Sequence, residues 1–270
     1  MNILDNKYFR FVWFNSIFYG INIILSIVLM VVLLFPRKVL IKAIHFWLST
    51  VAWVEANLGG ITYSVVGKEN VPAPPFIAAC KHASEWETFK IHLLIDDPAI
   101  VVKQELLRLP ILGWHIKKSG TIPIDRKAGK TAVQVMLEGA RKAVAENRPV
   151  FIFPEGTRVG VGESKPYKAG VAALYQELNI PIVPIALNSG LVWSKNTLFK
   201  KRGHITVEFL PVIPIGLSKA EMMARLKDSI ETATARLVKM GAVKCGVEGC
   251  CAHVFPFAGE GVDFHSPTGE

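Results

Sequence analysis

From Phe11 to Phe35 the chain runs 25 residues without a charged side chain, FVWFNSIFYGINIILSIVLMVVLLF. As a helix this run is about 37 Å long, more than the roughly 30 Å of a bilayer's hydrocarbon core. It exceeds the apolar core of a signal peptide, and no small-residue cleavage pattern follows it. Pro36, Arg37 and Lys38 close it with the kind of flank found at a membrane interface. A buried core helix fits the length and the missing polar face poorly. The next stretch, Val39 to Leu58, is interrupted by Lys42, His45, Ser49, Glu55 and Asn57 and carries Trp47 and Trp53. It reads as a helix lying at a membrane surface or packed on the first. One span, two spans and a dip into one leaflet all stay open. Lys7 and Arg10 nearly balance Arg37, Lys38 and Lys42, so charge gives little orientation.

The rest of the composition agrees with a membrane setting. Apolar residues make up 51%, the mean hydropathy is +0.34 and the formal net charge is +9. A basic chain with an apolar start favours an anionic membrane surface or anionic substrates. No zinc-finger, RNP or basic-zipper pattern supports nucleic acid as a partner. Cys80, Cys245, Cys250 and Cys251 are too few and too uneven for a disulfide framework, so a reducing compartment is expected. The tail holds Cys245, Cys250, Cys251 and His253 but no Cys-x2-Cys pair, and no metal site is expected.

From Gly59 onward strand and helix signals alternate. Strands are expected at 61–66, 76–80, 99–103, 121–124, 150–153, 182–186 and 205–209, and helices at 131–146, 169–178 and 219–240. That alternation predicts an α/β fold, a mixed sheet flanked by helices, behind an N-terminal apolar helical anchor. The expected boundaries are 1–58 for the anchor, 59–240 for the α/β domain and 241–270 for an irregular tail. Pro123 and Pro184 are expected at sheet edges or bulges, because proline cannot donate to a ladder.

Four blocks carry chemistry. The first is Lys81-His82-Ala83-Ser84-Glu85-Trp86-Glu87-Thr88, where a buried strand hands over to a helix. Ser84 with Glu87 three residues on is a capping-box pattern that starts the helix at Ser84. His82 then lies in the preceding turn and can fold back onto Glu87, whose carboxylate would fix the imidazole tautomer. The second block is Gly120-Thr121-Ile122-Pro123-Ile124-Asp125-Arg126. The third, Phe153-Pro154-Glu155-Gly156-Thr157-Arg158, leaves a buried strand and offers an acid, a hydroxyl, an arginine and a glycine-freed backbone at its end. The fourth is the apolar Val183-Pro184-Ile185-Ala186. Ala128-Gly129-Lys130-Thr131 mimics the end of a nucleotide-binding loop, but Ile124 stands where that motif needs glycine.

Together the four blocks resemble the glycerolipid acyltransferases typified by lysophosphatidic acid acyltransferase, over Phe76 to Asn188. His82…Glu87 matches that family's His-x4-acid element, with Glu87 one methylene longer than the commoner aspartate. The resemblance implies transfer of a fatty acyl group from acyl-CoA or acyl carrier protein to the sn-2 hydroxyl of lysophosphatidic acid, giving phosphatidic acid; another lysolipid or glycerol 3-phosphate as acceptor is the alternative, and a non-catalytic membrane lipid-binding protein a lesser one. It implies His82 as general base and Glu87 as its orienting acid. It also implies a phosphate clamp at Arg126 and head-group binding by Glu155, Gly156, Thr157 and Arg158. Glu155, which cannot attract phosphate, is expected to accept from a substrate hydroxyl or to hold an arginine. No cofactor is implied beyond the acyl donor. The expected setting is a membrane, the inner membrane if bacterial, with the α/β domain facing the cytoplasm. An acyl-enzyme on Cys80 is a minor alternative, and the lack of a Gly-x-Ser-x-Gly elbow disfavours a serine hydrolase.

Overall fold

The computed structural model describes residues 7–245 apart from 196 and 198. Cys250, Cys251 and His253 of the tail lie outside the described residues. The chain begins with α1 (Lys7–Val28), which tightens into a 3₁₀ stretch at Leu29–Leu34. Pro36 stands between it and α2 (Arg37–Val54), which ends in a wide turn over Glu55–Gly59. Two helices are therefore long and apolar enough to cross a membrane, Val12–Leu34 and Arg37–Gly59.

The α/β part follows as β1 (Ile61–Val66), β2 (Ile77–Cys80), a 3₁₀ turn at Trp86–Phe89, α3 (Ile91–Leu94) and β3 (Ala99–Lys103). Next come a 3₁₀ turn at Gln104–Arg108, α4 (Leu112–Lys118), β4 (Ile122–Ile124), α5 (Lys130–Ala145) and β5 (Val150–Ile152). The last elements are α6 (Ala169–Leu178), β6 (Ile182–Leu187), β7 (Gly203–Phe209) and α7 (Lys219–Cys245). The strands form one sheet in the order β1-β7-β6-β2-β5-β3-β4. All neighbours are parallel except β6 and β7, so the sheet is mixed as the alternation predicts.

Both faces of the sheet are covered. Ala78, Cys80, Phe151 and Val183 pack on one face with Phe14, Phe18, Trp47 and Val51 of the N-terminal helices. Ile77, Ala79, Ile152 and Ile182 pack on the other with Met136 of α5, Leu174 of α6 and Leu226 of α7. This alternation explains why β2 and β6 are buried along their whole length and read as unbroken apolar runs. Pro123 is on the edge strand β4, where a missing donor costs nothing. From Ile185–Phe209 to Ile182–Ile213, β6 advances three residues and its partner four, so Pro184 sits inside central β6 at a bulge, as expected. Its carbonyl accepts from Leu210 N–H at 2.9 Å, and pairing resumes only at Ile182–Ile213, so its absent N–H falls at a break in the ladder.

The helix expected from Ser84 differs from what forms. Only a 3₁₀ turn and the four residues of α3 form, because Ser84 and Glu87 are drawn into a hydrogen-bonded cage. The short α4 was not among the expected helices.

Candidate active site

Three adjacent parallel strands, β5, β2 and β6, end side by side: Ala79 is in register with Ile152, and Cys80 with Ile185. The C-terminal ends of parallel strands form the crevice where α/β sheets place their ligands. β2 delivers Lys81 and His82, β5 delivers Phe153 to Arg158, and β6 delivers Asn188 and Ser189.

His82 and Glu87 meet. His82 Nδ1 lies 2.9 Å from Glu87 Oε1. With the nitrogen of Ala83 at 2.6 Å and of Ser84 at 2.7 Å on the same oxygen, Nδ1–H is assigned as a third donor. Glu87 Oε2 accepts from the hydroxyls of Ser84 at 2.8 Å and Ser189 at 2.9 Å. Five donors thus hold one fully buried carboxylate. The longer glutamate reaches back over the turn and accepts the Ala83 and Ser84 backbone amides as well as the ring. Ser84 Oγ accepts from Trp86 N–H at 3.0 Å, which gives the reciprocal pattern of a capping box shifted by one residue. The His82 ring stacks on Phe153, with centroids 4.0 Å apart and planes 17° apart. Its Nε2 is left as the acceptor, and the side chain keeps 13% of its surface open.

The Pro-Glu-Gly loop brackets His82 from the other side. Val159 N–H donates to the His82 carbonyl at 2.8 Å, and His82 N–H donates to Glu155 Oε2 at 3.3 Å. Glu155 is turned inward with no exposed side-chain surface, its Oε1 3.1 Å from Lys81 Nζ. Burial pushes its carboxyl up, and Lys81 opposes that shift. The cation it holds is the lysine one residue before His82, where an arginine was one of the expected partners. Lys81 Nζ also lies 2.8 Å from both carboxylate oxygens of Glu231 on α7, and Tyr167 donates its hydroxyl to Glu231 at 3.1 Å. Lys81, Glu231, Tyr167 and Ser189 were not identified as site residues from sequence.

The remaining predicted residues lie around the same loop. Gly156 has φ +66°, a left-handed backbone that favours glycine, and its carbonyl accepts from Arg126. Thr157 is exposed. Arg158 is half-buried and donates to Glu85 at 2.7 Å. It borders a cleft of about 260 Å³ with Tyr19, Trp193, Lys195 and Lys200. Arg126 thus reaches the loop from outside, and Arg158 is part of the loop and turns to Glu85. Cys80 is fully buried, and burial, Glu87 and Glu155 push its thiol well above the ordinary range, so it carries little thiolate. Among the described residues, no group of three or more His, Cys, Asp or Glu side chains is placed to hold a metal ion.

Residues 62–188, which span this crevice, match the family described as Acyltransferase. The match takes in a little under half of the chain's 270 residues. Three curated relatives share one name. The 1-acyl-sn-glycerol-3-phosphate acyltransferase of Pseudomonas aeruginosa is 35% identical over 167 residues, covering 62% of this chain and 65% of the relative. The enzyme of that name from Saccharomyces cerevisiae is 32% identical over 180 residues, covering 63% and 59%. The human beta form is 31% identical over 155 residues, covering 56% of each. The matched part of this chain thus spans less than two thirds of each relative's length. The fold matches the crystal structure of the 1-acyl-sn-glycerophosphate (LPA) acyltransferase from Thermotoga maritima, with a TM-score of 0.71 at 19% identity. That likeness covers 87% of this chain and 97% of the other.

Proposed function

We propose that this chain transfers a fatty acyl group from a thioester, acyl-CoA or acyl carrier protein, to the sn-2 hydroxyl of lysophosphatidic acid. The observation that carries the proposal is His82 held through Nδ1 by a caged Glu87, with Nε2 left as the acceptor on a partly open side chain. The names of the relatives supply the substrate class.

In this reading His82 Nε2 takes the proton of the acceptor hydroxyl as its oxygen attacks the thioester carbonyl. The C–S bond then breaks, the C–O ester bond remains, and the proton on His82 passes to the departing thiolate. Glu87 holds the ring in the right tautomer and offsets the imidazolium charge. Arg126 and Arg158 bind the phosphate, Arg158 by exchanging Glu85 for it. Gly156 and Thr157 shape the loop edge that the head group meets. Glu155 acts from beneath by holding the His82 backbone. No cofactor besides the acyl donor enters the reaction. The apolar helices α1 and α2 anchor the chain to a membrane, with the α/β domain on the cytoplasmic side where acyl thioesters are made.

Glu87→Gln tests the pair. The glutamine oxygen can replace Oε1 among its three N–H donors, and its NH₂ would face the hydroxyls of Ser84 and Ser189, which can turn to accept. The variant is expected to melt near the wild-type temperature and to lose at least about 100-fold in turnover, the low end for positioned acid–base catalysis. Wild-type turnover in a folded Glu87→Gln protein would remove the charge of Glu87 from the mechanism.

A further inference from the structure

A second apolar surface lies on the α/β domain itself. The segment 104–118 exposes Leu106, Leu109, Leu112 and Trp114, each by 37–53% of its surface. Its shape is fixed. Ile111 holds φ +62°, a conformation that costs a branched residue energy. Gly113 is buried so tightly against the Leu107 carbonyl that a Cβ would lie 2.3 Å from it. The segment is a rigid platform that presents its apolar side chains outward.

What sits opposite is read from its neighbours. His115 Nε2 meets the carbonyl of Ser26 at 3.0 Å, and Lys118 Nζ meets the carbonyl of Leu33. Ser26 and Leu33 lie within the first apolar span, Val12–Leu34. α4 therefore runs beside about 10 Å of that span, seven residues at 1.5 Å each. A segment packed along a lipid-embedded helix shares its depth. Exposed Arg108 and Lys117 flank the apolar side chains as basic partners for lipid phosphates, and an exposed tryptophan is typical of that layer.

We propose that residues 104–118 are a membrane-docking platform, seated in the interfacial layer of an anionic bilayer beside α1. This rests on the anchor reading above and goes beyond it: the α/β domain is partly immersed and not merely tethered. The platform would fix the crevice at a set height over the lipid that holds its substrate.

The test uses the full chain with Cys245, Cys250 and Cys251 replaced by serine, leaving the buried Cys80 in place. A nitroxide is attached in turn through Leu109→Cys, Trp114→Cys, Ile27→Cys on the exposed face of α1, and Lys165→Cys as a water-exposed reference. The proteins are reconstituted in phosphatidylcholine–phosphatidylglycerol vesicles, and collision with oxygen and with a water-soluble nickel chelate is measured by electron paramagnetic resonance. The expected result is loss of nickel access at positions 109 and 114, as at 27, with oxygen access retained. Lipid signatures at 27 with full nickel access at 109 and 114 would overturn the platform and leave the anchor standing. Full nickel access at 27 as well would overturn the anchor reading and the platform with it.

Discussion

Lys81 shows how much of the crevice depends on a residue that never faces it. It is 2% exposed and shared between Glu155, which accepts from His82 N–H, and Glu231. Removing one partner of a buried ion pair typically costs 3–5 kcal/mol, because a charge is left uncompensated. Lys81→Met is therefore expected to melt lower and to lose turnover in its folded fraction at unchanged KM, while Lys81→Arg recovers part of both. Wild-type turnover for Lys81→Met would make the brace irrelevant to His82. The pairing of His82 with Glu87 was legible because its partners are five residues apart and flanked by a capping pattern. The brace was not legible, since Glu231 lies 150 residues from Lys81. The same holds for Ser189, which is 102 residues from Glu87 and reaches it only through the β2–β6 pairing. The lysine partner of Glu155 was not legible for a related reason: its motif reads as a surface turn, and only the fold shows a lysine beneath it.

At the scale of elements, strands and long helices followed from apolar runs and periodicity, and their expected ranges fall within a few residues of those observed. What periodicity could not show was α4 and the reduction of the Ser84 helix to a 3₁₀ turn, both set by tertiary contacts. The loop 153–159 carries its own prediction. Loss of a charge-assisted hydrogen bond costs about 1.5–3 kcal/mol, or roughly 10- to 150-fold in apparent affinity. Arg158 already has a partner in half-exposed Glu85, so the low end applies. Arg158→Ala is expected to raise KM for the lysolipid about 10-fold and leave KM for the acyl donor unchanged. The reverse pattern would assign Arg158 to the donor's phosphates. α3 carries another. Burial, then the neighbouring His45, pull His92 down to about 4, with Asp97 opposing and Arg148 and Arg37 adding to the fall. Between pH 6.5 and about 4 the unfolded chain takes up a proton at His92 that the folded chain refuses. Stability is lost as pH falls through that window, by about 2 kcal/mol at pH 5. Melting in detergent at pH 7 and pH 5 is expected to show a smaller pH difference for His92→Gln than for wild type.

Across the whole molecule, the apolar helices and the crevice are joined. Phe14 and Phe18 of α1 and Trp47, Val51 and Val54 of α2 belong to the same core as Trp86 and Trp193. Glu55 at the end of α2 forms a buried ion pair of 2.8 Å with Lys90 and accepts from Trp86 Nε1 at 3.0 Å. Lys90 and Trp86 flank Glu87, so the proposed anchor is coupled to the turn that carries the proposed dyad. The expected division at 58/59 therefore runs through packed and hydrogen-bonded contacts. That an apolar start and an α/β domain would coexist was plain from the uncharged run; that their interface would contain a buried ion pair was not, because Glu55 and Lys90 are far apart in sequence and meet only in the fold. An acceptor panel on the purified full-length protein, with labelled acyl-CoA and labelled acyl carrier protein offered in turn, tests the central claim most directly. Wild type is expected to esterify lysophosphatidic acid ahead of other lysolipids and glycerol 3-phosphate, yielding labelled phosphatidic acid, and His82→Ala is expected to yield none above background. Transfer to lysophosphatidic acid that persists in His82→Ala, or a wild-type protein that acylates no acceptor with either donor, would contradict it.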